Sequence, residues 1–300
     1  MAIKTVRAKL NGTWHTLTYN SSKNAWEATV TAPGATSYHQ SSGDYNVEVE
    51  ATNDAGTTGS ASGSNLTGLR LVVKERVAPV ITILSPSGGA YVTNSKQPVV
   101  FTVVDEAGGS GINLSSLVVK LDGTAVASNT IATTAITNGY SVTYTPASAV
   151  SDGSHTVTVA VSDNDGNAAT AKSTTFTVDT VPPTLNISAP ADGISVNTQS
   201  LTVAGTTNDS TSSPVTIKIT LNGTDQGSVS VGSNGAFSKA VTLADGSNTI
   251  VVTATDAAGK TSSVTRTVKL DTSVPTVKSA TITPNPADAG ATVVISVVIA

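Results

Sequence analysis

Gly153-Ser154-His155-Thr156-Val157-Thr158-Val159-Ala160-Val161 is the stretch on which the fold turns. Val157, Val159 and Val161 alternate with Thr156, Thr158 and Ala160, the two-residue period of a strand with one buried face. Asp152-Gly153 precedes the run, and Asp163-Asn164-Asp165-Gly166 follows it. The run is therefore a strand held between two turns. The same pattern occurs twice more, over Gly43-Asp44-Tyr45-Asn46-Val47-Glu48-Val49-Glu50-Ala51 and over Gly246 to Ala254. Those copies also end in acidic turns, Asn53-Asp54-Ala55-Gly56 and Asp256-Ala257-Ala258-Gly259.

Two further motifs keep step with it. Leu10-Asn11-Gly12-Thr13, Leu121-Asp122-Gly123-Thr124 and Leu221-Asn222-Gly223-Thr224 each close an alternating run with an Asx-Gly turn. Val77-Ala78-Pro79, Val181-Pro182-Pro183 and Val274-Pro275 mark the junctions. Matching positions lie about 90–110 residues apart, the size of one immunoglobulin-like sandwich. Residues 181–272 hold strand candidates near 184–188, 200–206, 215–221, 226–231, 235–243, 247–255 and 262–270. That spacing favours a sandwich. The expected architecture is all-β, with tandem immunoglobulin-like sandwiches. The units are 1–77, incomplete and running from strand C to strand G; 78–180; 181–272; and 273–300, a stub of strands A and B. Short proline-bearing junctions predict a semi-rigid rod.

The two ends are complementary fragments. Ile3 to Leu10 aligns with the third strand of a complete unit, and Pro275 to Pro284 aligns with the first. Thr292 to Ile299 then forms a second strand. Three arrangements satisfy this pattern. The fragments stand alone as accidents of boundaries, the tail closes on its own first unit, or residues 276–300 of one copy complete residues 1–77 of the next. In the last case Ile282, Val293, Ile295 and Val297 supply the apolar contacts, and head-to-tail addition produces a filament.

Composition excludes several classes. Only 12% of residues are charged and the net charge is −4, so no basic stripe for nucleic acid exists. With no Cys, thiol catalysis, disulfides and Cys-bound zinc are out. His15, His39 and His155 form no catalytic pattern, and neither a nucleophile elbow nor a phosphate loop is present. His155 aligns with Tyr45 and Asn248 at the head of a strand, the place of a corner hydrogen bond. The chain is expected to be no enzyme and to carry no cofactor. Asp163, Asp165 and Asn167, with Asp105 and Glu106, are weak calcium candidates, because they resemble part of a calcium loop without its distal Glu. A plain acidic turn explains the same residues. Trp14, Trp26 and Tyr38 belong to an aromatic-rich first unit, which is read either as core or as a sticky face for a partner or carbohydrate.

The V-x-P starts, the L-[ND]-G-T turns and the D-G-x-x-[TN]-[VI] corners together resemble bacterial Ig-like repeats, which occur in surface adhesins, exported enzymes and tailed-phage virions. The segment Ala8 to Tyr19 looks like the start of Ig-repeat proteins in prophage tail regions. The resemblance implies a structural or adhesive protein of a phage or phage-like particle, with a bacterial surface adhesin or stalk as the alternative. Its partners would be other copies, virion or cell-surface components, and surface carbohydrate, with no membrane insertion. No apolar leader follows Met1. The location expected is therefore a virion or extracellular filament made in the cytoplasm, or alternatively the bacterial cell surface.

Overall fold

The computed structural model describes residues 2–300, and the chain divides into two compact units, Met1–Val178 and Asp179–Ala300. Unit 1 begins with β1 (Ile3–Leu10), β2 (Thr13–Asn20), β3 (Ala25–Glu27), β4 (Tyr45–Asn46), β5 (Glu48–Asn53), β6 (Thr58–Ser62) and β7 (Arg70–Leu71). It continues with β8 (Val80–Ser85), β9 (Tyr91–Val92), β10 (Val99–Val104), β11 (Ile112–Leu121), β12 (Thr124–Ala125), β13 (Ile131–Ile136), β14 (Gly139–Tyr144), β15 (Gly153–Asp163) and β16 (Lys172–Val178). Unit 2 holds β17 (Thr184–Ala189), β18 (Ile194–Val196), β19 (Ser200–Asn208), β20 (Thr216–Leu221), β21 (Thr224–Asp225), β22 (Ala236–Thr242), β23 (Gly246–Thr255), β24 (Thr261–Leu270), β25 (Val277–Thr283) and β26 (Val294–Ile299).

Residues 80–178 form a two-sheet sandwich, with β13-β14-β10-β8 facing β12-β11-β15-β16-β9. Unit 2 repeats the plan with β17-β19-β22 and β18-β24-β23-β20-β21. In both, the first long strand pairs with the second, and a short strand after it crosses to run parallel with the last, β9 beside β16 and β18 beside β24. This is the strand order of an immunoglobulin-like fold. The inward residues fill the cores. Val99, Phe101, Val142, Val157, Val159 and Phe176 pack in the first, and Val203, Ile219, Phe237, Ile250, Val252 and Val268 in the second.

All three Asx-Gly motifs are tight turns with left-handed backbone. φ is +49° and +81° at Asn11-Gly12, +49° and +81° at Asp122-Gly123, and +51° and +81° at Asn222-Gly223. Asn and Asp tolerate that region because their short polar side chains bond locally, and Gly because it has no Cβ. Such turns match the twist of the strands they join.

One strand expectation changes. Residues 226–231 make only isolated bridges, Ile217 with Val229 and Val231 with Phe237. Between Glu27 and Tyr45 no strand forms, and only a short 3-10 turn appears at Ser37–His39.

Residues 3–71 therefore carry one sheet, β3-β2-β1-β5-β6, with the β4-β7 pair beside it. Register fixes its faces. Val6 lies opposite Leu17 and Ala51, and Ala8 opposite His15 and Val49, so one face is apolar. Arg7 lies opposite Thr16 and Glu50, and Lys9 opposite Trp14 and Glu48. That face is charged, with ion pairs Arg7–Glu50 at 2.6 Å and Lys9–Glu48 at 3.4 Å.

Candidate functional site: an open apolar sheet and an exposed hairpin

The apolar face of the first sheet has no second sheet over it among the described residues. A cavity of about 280 Å³ opens there, lined by Ala8, Leu10, His15, Leu17, Val30 and Leu71 among others. The segment 28–44 covers only part of the face. It is tied down at Tyr45, whose hydroxyl donates to the Ala35 carbonyl at 3.1 Å, and at Ser37, whose N–H donates to the Val73 carbonyl at 2.8 Å. Within 2–77 the buried apolar side chains are Val6, Leu10 and Tyr45, too few to make a core like those of the two sandwiches.

The opposite situation holds at the far end of the sequence. β25 and β26 pair antiparallel from Val277↔Ile299 to Thr283↔Val294, as β8 pairs with β10 and β17 with β19. In the complete sandwiches those strands bury Ile81, Phe101, Ile187 and Val203. Here every residue of both strands is exposed. Ile282 is 49% exposed, Val293 42%, Ile295 66% and Val297 50%.

The aromatic candidates separate by face. Trp14 lies on the charged face, where the Arg7 guanidinium sits 4.3 Å from its ring centre, so it is not part of the open apolar surface. Trp26 pairs across the sheet with Tyr19, with ring centres 5.6 Å apart, and Tyr19 shares the face of Leu17 by alternation. Tyr38 is 49% exposed and stacks edge-on with His39. His39 Nε2 donates to the Gly109 carbonyl, 2.7 Å away.

The corner residues take the bonds their alignment implies. His155 Nε2 lies 2.8 Å from the Ser151 carbonyl, and Asn248 Nδ2 donates to the Ala244 carbonyl at 2.7 Å. The Asx turns latch onto the same corners. The Thr156 N–H donates to Asp122 and the Thr249 N–H to Asn222, each at 2.8 Å. Asp122 also reaches His155 Nδ1 at 2.7 Å. Burial disfavours the imidazolium, but the Asp122 carboxylate and the Ser151 carbonyl outweigh it and raise the His155 pKa above its ordinary 6.5. Burial likewise opposes the Asp122 carboxylate, but the bonds from His155 and Thr156 prevail and hold it below its ordinary value.

The acidic turn is internally satisfied. Asp163 Oδ1 accepts from the N–H groups of Gly166 and Asn167 at 2.6 and 2.8 Å, and its Oδ2 accepts from Asn167 Nδ2. Asp165 Oδ2 accepts from Thr36 Oγ1 at 2.5 Å and from the Glu75 N–H at 3.1 Å. The turn thus clips the junction segment to the sandwich of residues 80–178. The acidic side chains that converge are instead Glu75, Asp105 and Glu106 in unit 1 and Asp179, Asp209 and Asp256 in unit 2. Apart from the neighbours Asp105 and Glu106, their positions are separated widely along the chain, so only the fold brings them together. Among the described residues no helix is long and apolar enough to cross a membrane.

Residues 85–180 match the family described as bacterial Ig-like domain. Residues 183–272 match the family described as glucodextranase, domain B. No curated protein matches the chain. Solved structures similar to it include fibronectin(III)-like modules of Clostridium thermocellum CbhA, at 16% identity and a TM-score of 0.40, covering 64% of this chain and 94% of that one. A segment of tandem titin domains matches at 15% identity and a TM-score of 0.41, covering 88% and 85%. Sidekick-1 immunoglobulin domains 1-4 match at 12% and 0.37, covering 90% and 68%. The chain thus carries immunoglobulin-like sandwiches in tandem, and one of them, residues 85–180, matches a bacterial Ig-like domain.

Proposed function

We propose that this chain is a non-enzymatic structural and adhesive protein that assembles head to tail, with the β25-β26 hairpin of one copy completing the open sheet of residues 3–71 in the next. The observation that carries the proposal is the pairing of two unfinished surfaces. An apolar face lacks a covering sheet, and a hairpin with the register of the missing strands exposes Ile282, Val293, Ile295 and Val297. Burying both relieves exposed apolar area at about 25 cal/mol per Å². Because donor and acceptor lie on different parts of the chain, the contact is heterologous, and growth is open-ended wherever the rotation from copy to copy does not close a ring. The motif resemblance to prophage and tailed-phage Ig-repeat proteins supports a phage or phage-like particle as the setting. In such an array, weak contacts by each copy add into avidity.

Two point variants test the proposal. Leu17→Asp blocks the acceptor face and Ile295→Asp blocks the donor hairpin. Each alone is expected to remain monomeric by light scattering. Mixed, they should form a 1:1 dimer, because the hairpin left intact in one fits the face left intact in the other. Circular dichroism checks that both variants keep their strands. Growth of either variant alone like the parent, or no dimer on mixing, would overturn the proposal.

A further inference from the structure

Two carboxylate clusters occupy corresponding places in two separate sandwiches. In each triad, Glu75, Asp105 and Glu106 or Asp179, Asp209 and Asp256, the ligating oxygens lie within 4.8 Å of one another. Strand register establishes the correspondence. Asp105 follows Val104, whose partner Val80 is the first residue after Pro79. Asp209 follows Asn208, whose partner Thr184 is the first residue after Pro183. Glu75 and Asp179 both lie two residues before the junction valines, Val77 and Val181. The third acid differs. In unit 1 it is Glu106, next to Asp105, and in unit 2 it is Asp256, in the turn that matches Asp163.

Each cluster keeps at least one buried carboxylate oxygen without a protein donor, while others of its oxygens accept from the N–H groups of Ser110, Val181, Thr211 and Ser212 and from the Ser212 hydroxyl. Asp105 is 4% exposed, and its Oδ2 accepts from the Gly111 N–H at 2.7 Å, but its Oδ1 has no partner. Asp256 is 6% exposed, and its Oδ1 accepts from the Lys260 N–H at 2.8 Å, but its Oδ2 has none. Oε2 of Glu75 and Oε2 of Glu106 are likewise buried and without partners. No Lys or Arg in the described ion pairs reaches any of the six carboxylates. Buried carboxylates this close cannot all remain charged without a counter-ion or a proton.

We propose that each cluster is a Ca²⁺ site that ties the segment before the sandwich to the loops at its entry end. The donors are all hard oxygens and include no His or Cys, which selects Ca²⁺ or Mg²⁺ over transition metals. The carboxylates come from two segments in unit 1 and three in unit 2, and neighbouring backbone carbonyls and water would complete the shell. Such a loose, adaptable cage suits Ca²⁺ and not the strict octahedron of Mg²⁺. This inference is independent of the assembly proposed above.

The test is calorimetric titration of the chelator-stripped full chain with CaCl₂. Two equivalents should bind, with Kd on the order of 10⁻⁵ to 10⁻³ M. Glu106→Gln and Asp256→Asn should each leave one equivalent, and the double variant none. Thermal melts guard against misfolding. In chelator, Glu106→Gln should melt at or above the parent, since it removes a buried like charge. In Ca²⁺ the order should reverse. No heat with Ca²⁺ and an unchanged melt would overturn the proposal for both clusters. An equal response to Mg²⁺ would overturn the assignment of the ion. Two equivalents retained in the double variant would overturn the assignment of the residues.

Discussion

His155 and Asp122 show how one hydrogen bond gives a sandwich its own pH response. The His155 pKa is raised above 6.5, so its contribution is fully present below 6.5 and is lost as pH rises through the raised value. The Asp122 pKa is lowered below 3.8, so its contribution is present above 3.8 and is lost as pH falls through the lowered value. The pair therefore stabilises residues 80–178 most between these two ordinary values. In unit 2 the same two places hold Asn222 and Asn248, bonded at 3.0 Å and without charge. NMR titration of the His155 ring should give a pKa above 6.5 in the parent. In Asp122→Asn it should fall below 6.5, because burial then acts without the carboxylate. An unchanged value would show that Asp122 is not the cause. A second residue-scale prediction concerns Gly205. A Cβ there would lie 2.3 Å from the Asn186 carbonyl oxygen and 2.8 Å from the Phe237 ring. Gly205→Ala should destabilise unit 2 by about 1–3 kcal/mol. Gly88→Ala, with nothing within 4 Å, should change stability by less than about 0.5 kcal/mol. Denaturant melts of both variants check this.

At the scale of elements, what was legible in the sequence is what local chemistry decides. The Asx-Gly turns, the alternating strands after Gly153 and Gly246, and the corner role of His155 and Asn248 all follow from residue type and period. Asn222→Ala tests the latch they form. It places a Cβ-bearing residue without a bonding side chain at φ +51° and removes the bond to the Thr249 N–H. The expected cost is about 1–3 kcal/mol in unit 2, read by denaturant melts. Other elements escaped because tertiary pairing decides them. β18 is three residues long and pairs in parallel with β24, so it carries no alternation of its own. Residues 226–231 alternate like a strand but find no partner beyond isolated bridges. The acidic clusters were half visible. Asp105 and Glu106 stand out as neighbours, but Glu75 joins them only after the chain has crossed a junction. Asp163, Asp165 and Asn167 were the more conspicuous set, yet their oxygens serve the turn and the junction segment.

At the scale of the molecule, two complete cores coexist with one unfinished sheet. The sandwiches bury valine, isoleucine and phenylalanine on both inner faces. The first sheet has a charged outer face and an apolar inner face with no second sheet above it among the described residues, while the hairpin from Val277 to Ile299 exposes the side chains such a cover would bury. The central claim is that these surfaces meet between copies. The most direct measurement is mass by light scattering across a concentration series, on the 300-residue chain and on a version ending at Thr272. The account predicts mass that grows with concentration in the longer chain and a constant monomer in the shorter one. A constant monomer in both, or equal growth in both, would contradict it.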